Sequence, residues 1–286
     1  MWSPKLSAML ARAAGISLIC SLWSTAAVAR PKWTTTRAEL RRGAMGAADG
    51  SAHASYAGVR KRLVTQRNGK VVQAVTKVDR HTVDHEVAAY ALSLAAGFDF
   101  VPPTSVTPSA EGGAKMMRQA FVQGDMSPTY EIMADSFFAD VPQLIRLNVF
   151  DYLIQNPDRH AWNWLVQTND GEKSLVAIDH SYNTFPDAGS DGVPAYGQLR
   201  MKLSGGHAID EGNRQFIERI SPRRVAVSLR AAGLPRAKVQ GVLQRLEYLK
   251  QAFPSLASGA TANTSTSLAS LNPAAQARIA AALAGL

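Results

Sequence analysis

The sequence predicts an α+β chain in two lobes: a small antiparallel-sheet lobe carrying one helix, then a mainly helical lobe. Three observations carry that expectation. Strand-like runs at residues 59–65 and 71–78 flank Asn68-Gly69, and Asn-Gly between two apolar runs is a strong hairpin signal. A helical run at 83–96 follows, with Val87, Tyr90, Ala91 and Leu94 at helical spacing as its expected core face. Beyond residue 140 helical patterns dominate, interrupted by a pair of short apolar strands. The length of 286 residues and the 46% hydrophobic content suit one large domain or two small lobes.

Taken in order, residues 30–55 are polar and glycine-rich and read as irregular. Thr82 caps the helix at 83–96 and Gly97 stops it. An extended segment begins at residue 100, and a further strand covers 115–122. Strand, strand, helix, strand, strand makes a first lobe at about 45–124. Asp140 and Pro142 mark the start of a helix that opens the second lobe at about 140–255, with Leu144, Leu147, Val149, Phe150, Leu153 and Ile154 as its apolar content. A Gly/Asp/Pro-rich loop runs from Phe185 to about residue 206, followed by helices near 213–220, 222–232 and 235–253, the last stopped by Pro254. The domain is thus expected over 30–255, and residues 256–286 form a Ser/Ala/Thr-rich linker and a short helix ended by Gly285. The role of that helix is not readable from its residues.

Residues 156–179 carry the chemistry. Asp158 lies five residues before Asn163, and an apolar strand follows. After a break at Asn169-Asp170-Gly171 a second strand ends in Ala177-Ile178-Asp179. Phosphoryl transfer needs these parts: a carboxylate beside the attacking hydroxyl, an Asn on a metal ion, and a second Asp on the metal that bridges the nucleotide phosphates. Singly, the same residues have plainer readings, Asp-Arg-His as a structural ion pair and Asp179-His180 as the close of a turn.

Together, Asn156-Pro157-Asp158-Arg159-His160-Ala161-Trp162-Asn163-Trp164-Leu165 and Ala177-Ile178-Asp179 resemble the phosphatidylinositol 3- and 4-kinase-like superfamily, most of all the type II phosphatidylinositol 4-kinases. The layout is also similar to the secretory-pathway Golgi casein kinases and, more loosely, to the HipA-type kinases. The specific match covers residues 156–183 and a weaker one roughly 45–185. The resemblance implies a two-lobed protein-kinase-like fold and an ATP- and Mg2+-dependent kinase acting on a hydroxyl of an inositol lipid or a protein. Asp158, Arg159 and His160 would form the catalytic loop, and Asn163 and Asp179 would hold the metal.

A kinase-like small lobe also needs a Lys that holds phosphates and an acid on the next helix that orients it. Lys77 and Glu86 fill those places, with Lys61 as the rival Lys; the plainer reading is a surface Lys and a Glu at a helix N-terminus. Gly43, Gly46 and Gly50 precede the first expected strand, and Gly50-Ser51 is the candidate phosphate-covering turn, although no tight G-x-G-x-x-G is present. By position alone Ala120, Phe121 and Val122 would be the hinge for the adenine, and a strand ending in Phe is equally well explained as core. After Asp179 the chain departs from familiar kinases: Asp-His-Ser stands in place of Asp-Phe-Gly. Compared with the Asp-Asn-Gly-x-x-Phe-Pro of the type II enzymes, Phe185-Pro186 is kept, one residue is inserted and the Gly is lost. A zinc site from His81, His85, His160 and His180 is a rival, but no second ligand pair has metal spacing.

The N-terminus reads as a secretory signal. Lys5 and Arg12 precede a short apolar run at 13–23, and Ala27-Val28-Ala29 supplies the small residues before a cleavage after Ala29. A secreted or periplasmic location follows; an uncleaved anchor is the alternative. Removing residues 1–29, with two bases and no acid, takes the net charge from +9 to +7. Cys20 is the only cysteine, so the mature chain has no disulfide, thiolate ligand or Cys nucleophile. The basic balance favours anionic partners, an anionic membrane surface above a specific nucleic acid, with generic solubility as its plain reading. Besides an active kinase, the sequence leaves open an exported pseudokinase and, remotely, a hydrolase using Asp158 and His160.

Overall fold

The computed structural model describes residues 32–33, 35–48, 59–79, 83–109, 114–126, 143–183, 185–187, 211–257 and 271–286. The first lobe is a five-stranded antiparallel sheet of β1 (Ala44–Ala48), β2 (Val59–Thr65), β3 (Val71–Asp79), β4 (Thr104–Pro108) and β5 (Lys115–Ala120), in the order β1-β2-β3-β5-β4. Gly69, at φ 80°, makes the β2–β3 turn that Asn-Gly predicts. Alternation along β3 buries Val72, Ala74 and Thr76 on one face, and leaves Val75 and Lys77 half-buried on the other.

Residues expected to be irregular hold the element that covers this sheet. Helix α1 (Arg37–Arg42) starts in a capping box, in which Thr36 accepts from the Glu39 N–H and Glu39 accepts from the Thr36 N–H. Its Leu40 packs with Val64, Val72, Ala74 and Ala120. Buried Arg118 donates to the carbonyls of Leu40 and Gly43 at 3.1 and 2.8 Å, supplying the partners a helix C-terminus lacks. A Cβ on Gly43 would stand 2.4 Å from Val64 Cγ1, so this glycine serves packing rather than phosphate. Strand β1 itself is Ala-Met-Gly-Ala-Ala, too short of β-branched residues to announce itself.

Helix α2 (Val83–Ala96) departs from the expected single face. Leu94 is exposed and Tyr90 half-buried, while Ala88, Ala89, Ala91 and Leu92 are buried. The helix lies between the sheet and the second lobe, and small residues let both sides approach. Ser228 Oγ, on a helix of the second lobe, donates to the Ala91 carbonyl at 3.0 Å.

The second lobe contains α3 (Gln143–Ile154), α4 (Glu211–Arg219), α5 (Pro222–Ala231), α6 (Arg236–Ala257) and α7 (Pro273–Leu283). Helix α6 continues past Pro254, where only the final turn loses a hydrogen bond. Helix α7, capped by Asn272, buries Ala275, Ile279, Ala282 and Leu283 in the main core. Arg278 on α7 pairs with the buried Glu247 at 2.6 Å, so the C-terminal helix is part of the lobe. The core of Phe98, Phe100, Phe150 and Phe216 is built from edge-on and tilted aromatic pairs. Strands β7 (Trp164–Asn169) and β8 (Glu172–Ala177) form the expected hairpin; the short β6 (Asp125–Met126) adds a third strand that the sequence did not announce. Asp170 and Gly171, at φ 53° and 80°, make its turn. This architecture, an antiparallel-sheet lobe with one crossing helix over a helical lobe, is the two-lobed kinase-like fold.

Residues 1–31 are outside the described part, and with them the stretch expected to be a signal. Thr82, Asp140, Pro142, the loop at 188–210 and most of the linker also lie outside it. Among the described residues no helix is long and apolar enough to cross a membrane.

Candidate active site between the lobes

The loop from Gln155 to Asn163 leaves the buried end of α3 and folds upon Asp151, an acid in the last turn of that helix. Asp151 is buried and accepts from Arg159 at 3.0 Å through both Nε and Nη2, and from Asn156 Nδ2 at 3.1 Å. Asn156 Oδ1 in turn accepts the Asp158 N–H at 2.9 Å. The other guanidinium nitrogen of Arg159 donates to the carbonyls of Asn163 and Ile178, the latter at 2.9 Å. Arg159 therefore binds helix, loop and the strand before Asp179 into one unit. Its side chain is 4% exposed and is spent on these contacts.

Asp158 stands at the surface of that unit. Asn163 Nδ2 donates to its carbonyl at 2.7 Å and to its carboxylate at 3.1 Å. His160 caps the short 3-10 turn at 161–163 by accepting the Trp162 N–H on Nδ1 at 3.2 Å. With Nδ1 accepting, the neutral ring carries its proton on Nε2, which lies 3.6 Å from Asp158 Oδ1. His160, expected in the catalytic loop, thus lies with its ring beside the Asp158 carboxylate.

The hairpin returns Asp179 to the same place. Ile178 N–H donates to the Asn163 carbonyl at 3.1 Å, and Ala177 N–H to Phe100 at 2.9 Å. Asp179 takes φ 51°, a left-handed conformation that Asp tolerates better than most residues. Burial pushes its carboxyl up, but the Ser181 hydroxyl, then Lys77 and His180, outweigh that and hold it below the usual carboxylate range. Its ionised oxygens, with the amide oxygen of Asn163, are the hard donors a magnesium ion takes.

Lys77 reaches this carboxylate from β3, 3.7 Å from Asp179 Oδ1, and donates to Ser181 Oγ. It does not meet Glu86 directly. Glu86 is buried, and its two oxygens face Ser181 Oγ at 3.1 Å and His180 Nδ1 at 3.3 Å. His85 Nδ1 lies 3.5 Å from the Ser181 carbonyl, and burial lowers its pKa against the opposing pull of that carbonyl. Lys61, the rival, sits with its ammonium 4.2 Å above the Phe121 ring, a cation–π contact. It is on the same sheet face as Lys77, since Lys61 pairs with Val75 and Val59 with Lys77.

Strand β5 ends at Ala120, one residue before Phe121 rather than at Val122. The Phe121 N–H still donates to Gln73 at 3.1 Å, and both Phe121 and Val122 are half-buried. Gly50 and Ser51 fall in the β1–β2 connection, outside the described residues. The zinc rival finds no support: among the described residues no three His, Cys, Asp or Glu side chains gather, and His81 lies outside them. Asp151 and Ser181 were missed as site residues. An acid flanked by Phe150 and Tyr152 in an apolar helix was the available signal for the first. For Ser181 only its place after Asp179 was available.

Fold and site together define a kinase-like domain. Its site-bearing region matches the family of phosphatidylinositol 3- and 4-kinases over residues 105–193, so the superfamily resemblance read at 156–179 is found again over a wider stretch. No curated protein matches the chain. Among solved structures it is similar to the proinflammatory kinase CtkA of Helicobacter pylori at 12% identity and a TM-score of 0.43, covering 77% of this chain and 96% of that one. It is similar to HipA–HipB–operator DNA of Shewanella oneidensis MR-1 at 15% and 0.33, covering 82% and 64%. A third likeness is the Rio2 kinase–ADP/Mg2+–phosphoaspartate complex of Chaetomium thermophilum, at 12% and 0.36, covering 73% and 70%.

Proposed function

We propose that the chain is a Mg-ATP-dependent phosphotransferase acting on a hydroxyl of an inositol lipid or a protein. The carrying observation is the continuous set of contacts from Asp158 through Asn163 and Ile178 to Asp179 and Lys77. Asp158 accepts the acceptor's proton, Asn163 and Asp179 hold Mg2+, and Lys77 holds phosphates. The expected result is Mg-dependent transfer of label from ATP to phosphoinositide vesicles or to protein. Absence of transfer to both, with nucleotide still bound, sinks the enzyme reading.

A pseudokinase is the second reading. It is favoured by the missing Lys77–Glu86 contact and by the absence of a tight glycine motif. The net charge of +7 that remains once residues 1–29 are removed supports an acceptor at an anionic membrane surface, hence the lipid arm of the assay.

We also propose export, with cleavage after Ala29. N-terminal sequencing of the exported chain is expected to begin at Arg30; an intact Met1 replaces cleavage with an anchor.

A further inference from the structure

Resting on the nucleotide-binding reading above, we infer that Ser181 is the positioning residue through which Glu86 acts on Lys77. Two consecutive residues of α2 grip two consecutive residues after Asp179. His85 meets the Ser181 carbonyl at 3.5 Å, and Glu86 meets His180 at 3.3 Å and Ser181 Oγ at 3.1 Å. That clasp holds the Ser181 hydroxyl at a buried point between three charged groups.

A hydroxyl has one proton to give and lone pairs to accept with. Lys77 Nζ donates to Ser181 Oγ, so the oxygen is already an acceptor. Its own proton has two claimants, Asp179 Oδ1 at 2.7 Å and Glu86 Oε1 at 3.1 Å. Without a cation the shorter contact, to Asp179, takes it. With the Asp179 oxygens engaged by a bound Mg2+, the Ser181 proton would be left to Glu86, and Lys77, Ser181 and Glu86 would form one relay that holds Lys77 toward the phosphates. A direct Lys–Glu ion pair would make the hydroxyl dispensable; among the described residues it is the link between the two side chains. The plain alternative is that Ser181 merely satisfies Glu86 in the turn.

A double-mutant cycle on the full chain separates these roles, read as the Kd of Mg-ADP by titration calorimetry with Tm recorded for each variant. Ser181→Ala and Glu86→Gln are each expected to weaken binding about 10-fold, the loss of one charge-assisted hydrogen bond. The double variant is expected to lose no more than either single one, because Glu86 has no other route to Lys77. Losses that multiply to about 100-fold overturn the relay. So does wild-type affinity in Ser181→Ala. If Ser181→Ala does not fold, Ser181→Gly lacks the same hydroxyl and takes its place in the cycle. A wild-type chain that binds no Mg-ADP overturns the proposed function, and this inference with it; wild-type binding unchanged by loss of the hydroxyl overturns this inference alone.

Discussion

Asp179→Ala is expected to abolish Mg-dependent nucleotide binding, while Asp158→Asn binds nucleotide like the wild type and transfers nothing. The two carboxylates sit in one unit but have different surroundings. Asp179 is held ionised beside Lys77 and Ser181, so its removal takes away the carboxylate proposed to hold Mg2+ and leaves Lys77 without its counter-charge. Asp158 touches neither of these groups; its contacts are Asn163 and His160. An amide there keeps the loop hydrogen-bonded but cannot accept the acceptor's proton, and general-base catalysis contributes about 10²–10⁴-fold. Calorimetry with Mg-ATP, paired with the transfer assay, reads both. Mg-ATP binding by Asp179→Ala at wild-type strength would show that the central motif has been misread.

What the sequence made legible follows from what leaves a period or a spacing. The Asn68-Gly69 and Asp170-Gly171 turns are written in residues that favour positive φ, and both hairpins form where they stand. Asn163, bonded to Asp158, meets the residue before Asp179 because two short strands bring one end of the motif back to the other. The Lys77–Glu86 arrangement was legible only in part. Strand and helix place the two residues on facing elements, but whether their side chains touch depends on Ser181, and a single hydroxyl has no sequence signature. Strand β1 was hidden because its residues are mostly small, and α1 because its signal, the Thr36–Glu39 box, spans too few residues to form an amphipathic face. Leu94 was placed in the core because one stripe was assumed on a helix that is packed from two sides.

The largest stability effect is expected at Asp151, a residue with no part in the chemistry. Asp151 and Arg159 are 5% and 4% exposed, and removing one partner of a buried ion pair typically costs about 3–5 kcal/mol because the other charge is left unpaired. At roughly 2–4 °C per kcal/mol for a chain of this size, Asp151→Ala should lower Tm by about 6–20 °C. Asp84→Asn is the control. Its pair with Lys115 is also short, 2.6 Å, but lies about half exposed, and such surface pairs contribute about 0–1 kcal/mol. Arg159→Lys tests the geometry rather than the charge. One ammonium cannot span both Asp151 oxygens and the carbonyls of Asn163 and Ile178, so it should retain part of the stability yet loosen the loop that carries Asp158. Thermal unfolding of all three, with transfer activity measured well below each midpoint, decides the matter. A Tm for Asp151→Ala that equals that of Asp84→Asn would mean that the loop is held by its backbone contacts alone.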